Sequence, residues 1–518
     1  MNKPRLEDTK AVHTSRADWR VKCISALILV LILVLSSLAC APARADVGVV
    51  LNESLDTSVA RITGSGHSAV YLSHVCAESP IKLRLCRPGE EGSVISNYTT
   101  LGEDQPFEWN IAPLSIYLYG VEDPRNRPLF ASAKVKHALE ERYRKKYLAA
   151  YCTSAFCRNS NKAEWREMVA ATIERSVYIF VIKTTVKQDE QLIAELNAAI
   201  NRNHFNGVTR NCATFTRRII NTYFPGATSP EYINDFGMTS PKAIARSFTH
   251  YALRHPDSDF QVLHFAQIPG TYKRSSECRE GTEQLYHSKK LLVPMAAFAP
   301  HELPFVAASY LLTGRFNPEK EAERYPTEEA STLDHKIKTA KNEHDSSTVR
   351  KLIDEQEEQR ASVAGTSAEW GAYRGAFGLI IAEAVREEVI PNREYLSRFF
   401  KRLDEEGTPI LDEDGSLWIE FSSAGKTSRL GLSASNLLSP TSEGSLADQF
   451  VLTRIDQVLK APRHGRETMR DFRADWARLD QARADRQVWM AREPQSPPAA
   501  SSSATAEPAG VRRPGARR

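Results

Sequence analysis

The feature that most constrains this chain is an apolar run, CISALILVLILVLSSLA, from Cys23 to Ala39, behind a polar stretch carrying Lys10, Arg16, Arg20 and Lys22. A basic flank followed by such a run directs export and keeps the positive side in the cytoplasm. Ala43-Arg44-Ala45 then offers the small-x-small pattern of a signal peptidase site, with Asp46 as the expected new N-terminus. The run is long for a signal peptide, so a second reading keeps residues 23–39 as an uncleaved inner-membrane anchor. A third acylates Cys40 as a lipoprotein, although Ser37 stands where such signals carry leucine. Each reading sends the remainder to a periplasmic or other extracytoplasmic space.

Export turns the cysteines into evidence, because disulfides persist outside the cytoplasm. Beyond Ala45 they are Cys76, Cys86, Cys152, Cys157, Cys212 and Cys278. Cys76 and Cys86 are close enough in sequence to bridge a turn, and Cys152 and Cys157 to bridge across TSAF. That local pairing leaves Cys212 and Cys278, either joined to each other or with Cys212 as a free thiol.

Between them the chain alternates β-rich and helical patterns. Residues 47–130 read as strands and turns, through VGVVLNES, GHSAVYLSHVC, IKLRLC, GSVISNY and FEWNIAPLSIYLYGV. Helices are expected at 134–150, 162–175 and 188–202, a strand at 177–186, and a helix from Asn211 or Cys212 to Tyr223. This order makes residues 46–270 an α+β domain. Residues 271–315 form an apolar helical connector whose Pro294, Pro300 and Pro304 argue against an independent membrane span. Residues 316–493 read as mainly helical, including helices at 368–389, 394–405 and 446–492, with a small β segment near Asp414-Gly415; the tail at 494–518 is low-complexity. The acidic turn Asp412–Gly415 lacks full calcium-loop spacing, and the terminal arginines read as a solvated basic tail. With a formal net charge of only +4, nothing calls for nucleic acid. Zinc-type cysteine pairs, a P-loop, a dinucleotide fingerprint and an HExxH helix are all missing.

Two short segments carry chemistry. Gly64-Ser65-Gly66-His67-Ser68-Ala69-Val70-Tyr71-Leu72 is a glycine turn entering a strand that starts with a histidine. Val208-Thr209-Arg210-Asn211-Cys212-Ala213-Thr214-Phe215 is a loop delivering a cysteine to a helix start. The free amides and dipole of that helix end favour thiolate, a nearby imidazole can accept and return the proton, and the same amides can hold an oxyanion. Asn211 is placed to cap the helix or to donate to that oxyanion.

GHSAVYL and NCATF, in that order, resemble the circularly permuted papain-like enzymes, a group that includes NlpC-type hydrolases and lecithin:retinol acyltransferase relatives. The layout over roughly residues 47–225 is most similar to the periplasmic domain of Lnb-type lipoprotein N-acyltransferases. The resemblance implies a permuted papain-like fold, with Cys212 as nucleophile and His67 as general base and acid. The group's third, orienting residue lies on a neighbouring strand; in GSVISNYTT that points to Asn97, with Glu78, Glu90 and Glu91 as carboxylate rivals. Unlike the Lnb enzymes, this sequence has no set of membrane helices after residue 225.

The expected function is therefore an exported thiol hydrolase or acyltransferase, cleaving an amide or ester of an envelope lipid, lipoprotein or peptidoglycan substrate without a cofactor. The apolar stretch at 291–313 favours a lipid substrate provided it lines the site. The alternative is a non-catalytic envelope scaffold built on an inactive papain-like domain.

Overall fold

The computed structural model describes residues 44–55, 66–97, 107–152, 155–159, 164–202, 209–231, 234–235, 238–287, 289–313, 316–325, 384–460 and 469–492. The expected segments at 1–43 and 494–518, and most of the helix expected at 368–389, lie outside the described residues. The fold is α+β. Six strands form its centre in the order β6-β5-β2-β1-β7-β8, every neighbouring pair antiparallel. They are β1 (Arg44–Asn52), β2 (His67–Leu72), β5 (Ser93–Ser96), β6 (Asn110–Pro113), β7 (Val177–Thr185) and β8 (Gln261–Phe265). A separate hairpin, β3 (Val75–Ser79) with β4 (Lys82–Leu85), follows β2. The cleavage site expected after Ala45 falls inside β1, where Ala45 is fully buried and pairs with Thr184.

Both faces of the sheet are covered, which is why β1 and β7 are apolar at almost every position rather than at alternate ones. Val47, Val49 and Leu51 pack on one face with Val70, Leu72, Tyr178 and Phe180. There they meet α3 (Val186–Ala198), α4 (Cys212–Tyr223) and α5 (Pro241–Arg254). Val50, Ala69, Val94 and Ile179 face the other way, against α1 (Leu114–Tyr119) and α2 (Ala133–Tyr147).

Three elements differ from the sequence expectation. LSIYLY is α1 rather than a strand: it is too short for periodicity to decide, and Gly120, left-handed at φ 75, closes it as a helix. The helix expected at 162–175 is instead a 3-10 turn at Glu164–Met168 and a single turn at Ala171–Glu174, separated by Ala170 at φ 54. The C-terminal region does not stand apart. Leu417, Ile419, Leu430 and Phe450 join the same core as α1 and α2. The Leu129 amide donates to the Leu432 carbonyl at 2.8 Å, and Arg127 pairs with Asp456 in the interior. That region contributes α8 (Tyr395–Glu405), the sheet β11-β10-β9 (Lys426–Gly431, Leu417–Ser423, Thr408–Leu411), α9 (Leu446–Lys460) and α10 (Met469–Arg492).

The apolar connector becomes two helices, α6 (Lys289–Phe298) and α7 (Leu303–Thr313). It is not interior, since Val293 is 66% and Phe298 88% exposed. Among the described residues, no helix is long and apolar enough to cross a membrane.

Candidate active site

The two chemical segments meet because α4 packs across β2. Asn211 caps α4: its side chain accepts from the Thr214 amide at 2.9 Å and the Thr214 hydroxyl accepts from the Asn211 amide at 2.9 Å. This reciprocal cap is worth about 1 kcal/mol. A further bond from Asn211 Nδ2 to the Thr239 carbonyl, 3.1 Å, ties the cap to the loop before α5. Ala213, Phe215, Ile219 and Ile220 bury one side of α4 in the core, leaving Cys212 half-buried at the first turn.

Cys212 is a free thiol. The Ser68 amide and hydroxyl and the Ala213 amide favour the thiolate, but burial outweighs them and pushes the thiol above its ordinary range. The Thr216 hydroxyl donates to the Ser68 hydroxyl at 3.3 Å, joining α4 to β2 one turn further on.

His67 immediately precedes Ser68, and strand alternation sends its ring toward the face covered by α1. There Nε2 shares a 2.8 Å hydrogen bond with the Ser96 hydroxyl of β5. The ring is buried, 7% exposed, and burial, aided by the Arg175 charge, lowers its pKa to about 3. The imidazole is therefore neutral throughout the neutral range. Across the β1–β2 ladder Asn52 stands directly opposite His67, its Nδ2 donating to the Tyr117 hydroxyl of α1 at 2.7 Å.

The second free thiol, Cys278, lies below the turn that starts β2. It is buried, donates to the Asn52 carbonyl at 3.1 Å, and is pushed far up by burial. Gly66, at φ +71, is required there: a Cβ would come within 2.3 Å of the Asn52 carbonyl oxygen and 2.4 Å of the Cys278 sulfur. The other cysteines among the described residues pair as Cys76–Cys86 and Cys152–Cys157.

The structure thus brings Cys212 and Asn211 against β2, which His67 begins, and sets Asn97 in the same groove as Asn211, but the imidazole is held by none of the residues named for the orienting role. Asn97 uses its amide to donate to the Glu108 carbonyl, and it is Ser96, one residue earlier, that holds the imidazole. Alternation along β5 explains the difference, since Ser96 shares the face of His67 and Asn97 does not. Glu78 pairs with Lys82 at 2.9 Å and Glu90 with Arg84 at 2.7 Å on the β3–β4 hairpin. Glu91 carries its carbonyl to the Tyr71 hydroxyl at 3.3 Å. Sequence reasoning missed Asn52, Ser68, Ser96 and Tyr117; counting register from His67 across the flanking strands would have found Asn52.

A groove of about 560 Å³ opens beside Asn211 along the outer flank of α4, lined by Asn97, Glu108, Arg210, Arg217 and Arg218 among others. None of the α6–α7 residues lines it, so the condition that favoured a lipid substrate is not met at this groove. No family model, no characterised protein and no solved structure matches the chain.

Proposed function

We propose that this chain is an exported thiol enzyme with a permuted papain-like domain, transferring or hydrolysing an acyl group held in an amide or ester of the cell envelope. One observation carries the reading: a half-buried free thiol at a capped helix start, its anion favoured by the neighbouring Ser68 and Ala213, on a helix packed against the strand that begins with a buried neutral histidine. Because both groups are neutral at rest, the chemistry follows the general-base route rather than a preformed ion pair.

In that route Cys212 Sγ bonds to the carbonyl carbon while its proton passes to the imidazole. Ser96 holds the ring through Nε2, and proton uptake at Nδ1 goes with the tautomer in which Nε2–H donates to the Ser96 hydroxyl. Of the amides at the start of α4, that of Thr214 is held by the Asn211 side chain and that of Phe215 by the Asn211 carbonyl, which leaves the Cys212 amide to stabilise the oxyanion. Collapse breaks the C–N or C–O bond, and the imidazolium returns the proton to the leaving amine or alcohol. Water or an acceptor amine then attacks the thioester, gives its proton to His67, and releases the acyl product with the thiol restored. Envelope lipids, lipoproteins and peptidoglycan peptides all present such carbonyls, and none of these steps calls for a cofactor.

The test is incubation of the protein with a fluorescent lipid ester, an N-acyl amine and a peptide amide, followed by mass spectrometry of the acyl adduct. A thioester on Cys212 that hydroxylamine removes, absent from Cys212→Ser, supports the reading. Absence of any adduct across the three probes overturns it. The burial that raises the Cys212 thiol favours a second reading, a non-catalytic envelope scaffold, which predicts that same absence together with an intact fold.

A further inference from the structure

The groove along α4 is charged on one side only. Three guanidinium groups, Arg210, Arg217 and Arg218, line it against a single carboxylate, Glu108. Arg218 spends its charge locally, pairing with Glu108 at 2.8 Å while lying over the Phe215 ring at 5.3 Å. Arg217 is half-buried and forms no ion pair among the described residues, although Arg210 and Glu108 have further contacts. A cation held half out of water beside a cavity favours an anion. On the inner wall, Asn97 is 8% exposed, with its Oδ1 lacking a hydrogen-bond partner. Such an atom accepts an N–H or O–H when one is brought to it.

The placement links this groove to the thiol. Asn211, which caps the helix presenting Cys212, forms its near end. Arg217 lies five residues beyond Cys212 on α4, about 7.5 Å along the helix axis. The outward residues Thr214, Arg217, Arg218 and Asn221 follow helical spacing, so one flank of α4 builds the wall while the opposite flank is in the core.

We infer that this groove is a substrate subsite for an oxyanion, a phosphate or carboxylate carried several bonds from the carbonyl that Cys212 attacks, with Arg217 as its principal partner. The inference rests on the thiol-enzyme reading for the word substrate, but anion binding itself does not require a reactive thiol. The polar wall disfavours an acyl chain in this groove and assigns it to the anionic part of the molecule.

Binding to the full chain carrying Cys212→Ala is measured calorimetrically at low salt with two pairs of probes. One is glycerol 3-phosphate against glycerol; the other is N-acetylglutamate amide against N-acetylglutamine amide. The expected result is at least about tenfold tighter binding of one or both anions than of the neutral partner, weakening as salt rises. Arg217→Glu removes that preference, Arg217→Gln reduces it, and both retain the parent melting transition. If only the phosphate is preferred the oxyanion is phosphoryl, and if only the glutamate it is a carboxylate; either supports the inference. Equal binding of anion and neutral partner, or a preference that survives both Arg217 variants, overturns it. Loss of Cys212 acylation in the wild-type chain with anion binding intact would refute the catalytic reading and leave the anion site standing.

Discussion

Two free thiols flank the start of β2, and the difference between their surroundings says which can react. Cys212 is half-buried at a helix start, beside Ser68 and Ala213 groups that favour its anion. Cys278 is fully interior and acts as a donor itself, to the Asn52 carbonyl. Burial raises both, but only at Cys212 do neighbouring amide and hydroxyl groups, those of Ser68 and Ala213, favour the anion. The residue type is the same; neighbouring polar groups and access separate the proposed nucleophile from a packing cysteine.

The comparison breaks most readily by deleting each sulfur in turn. Cys212→Ala should lower acyl turnover by about 10⁴-fold or more. Cys278→Ser keeps the donor to Asn52 and should change turnover by no more than about threefold, as read from steady-state rates with an ester substrate. Removing the base, His67→Ala, should cost about 10²–10⁴-fold. Ser96→Ala should cost about tenfold by releasing the ring, and should shift the pH profile of kcat, which a merely destabilising change would not do.

Backbone packing sharpens the contrast. Gly66→Ala drives a methyl group against Asn52 and Cys278 in a left-handed conformation, and should cost about 2–3 kcal/mol in a denaturant titration. A cost below about 0.5 kcal/mol would mean that Cys278 is not tightly seated under the turn. The smallest effect concerns acid. His67 is held neutral down to about pH 3 in the folded chain, against an ordinary value of 6.5. The unfolded chain therefore takes the proton first, so this part of the stability is complete above about pH 6.5 and is lost as pH falls toward 3. His67→Gln should flatten the decline of stability between pH 7 and pH 4, measured by chemical denaturation at each pH.

Local patterns made much of this legible. The β-branched run at Val177–Thr185, the helix starting at Cys212 and the Asp414-Gly415 turn between β9 and β10 each follow from short-range signals. Asn211 as a cap follows likewise, because capping is decided within four residues. What local patterns do not contain is pairing across the sheet. Ser96 and Asn97 are equally polar neighbours, and only the register of β5 against β2 shows which one meets His67. Asn52 lies fifteen positions before His67 in the sequence and stands opposite it only once β1 and β2 pair. The shared core between α1, α2 and the C-terminal strands is equally non-local, since Leu129 and Leu432 are joined only in three dimensions.

The most direct test of the account is site-resolved acylation by p-nitrophenyl acetate, with both thiols quantified by mass spectrometry in the wild type and in His67→Ala. The account predicts acetyl transfer to Cys212 at least about 100 times faster than to Cys278, and a loss of that advantage when the imidazole is removed. Equal acylation of the two thiols, or a Cys212 rate indifferent to His67, would contradict it.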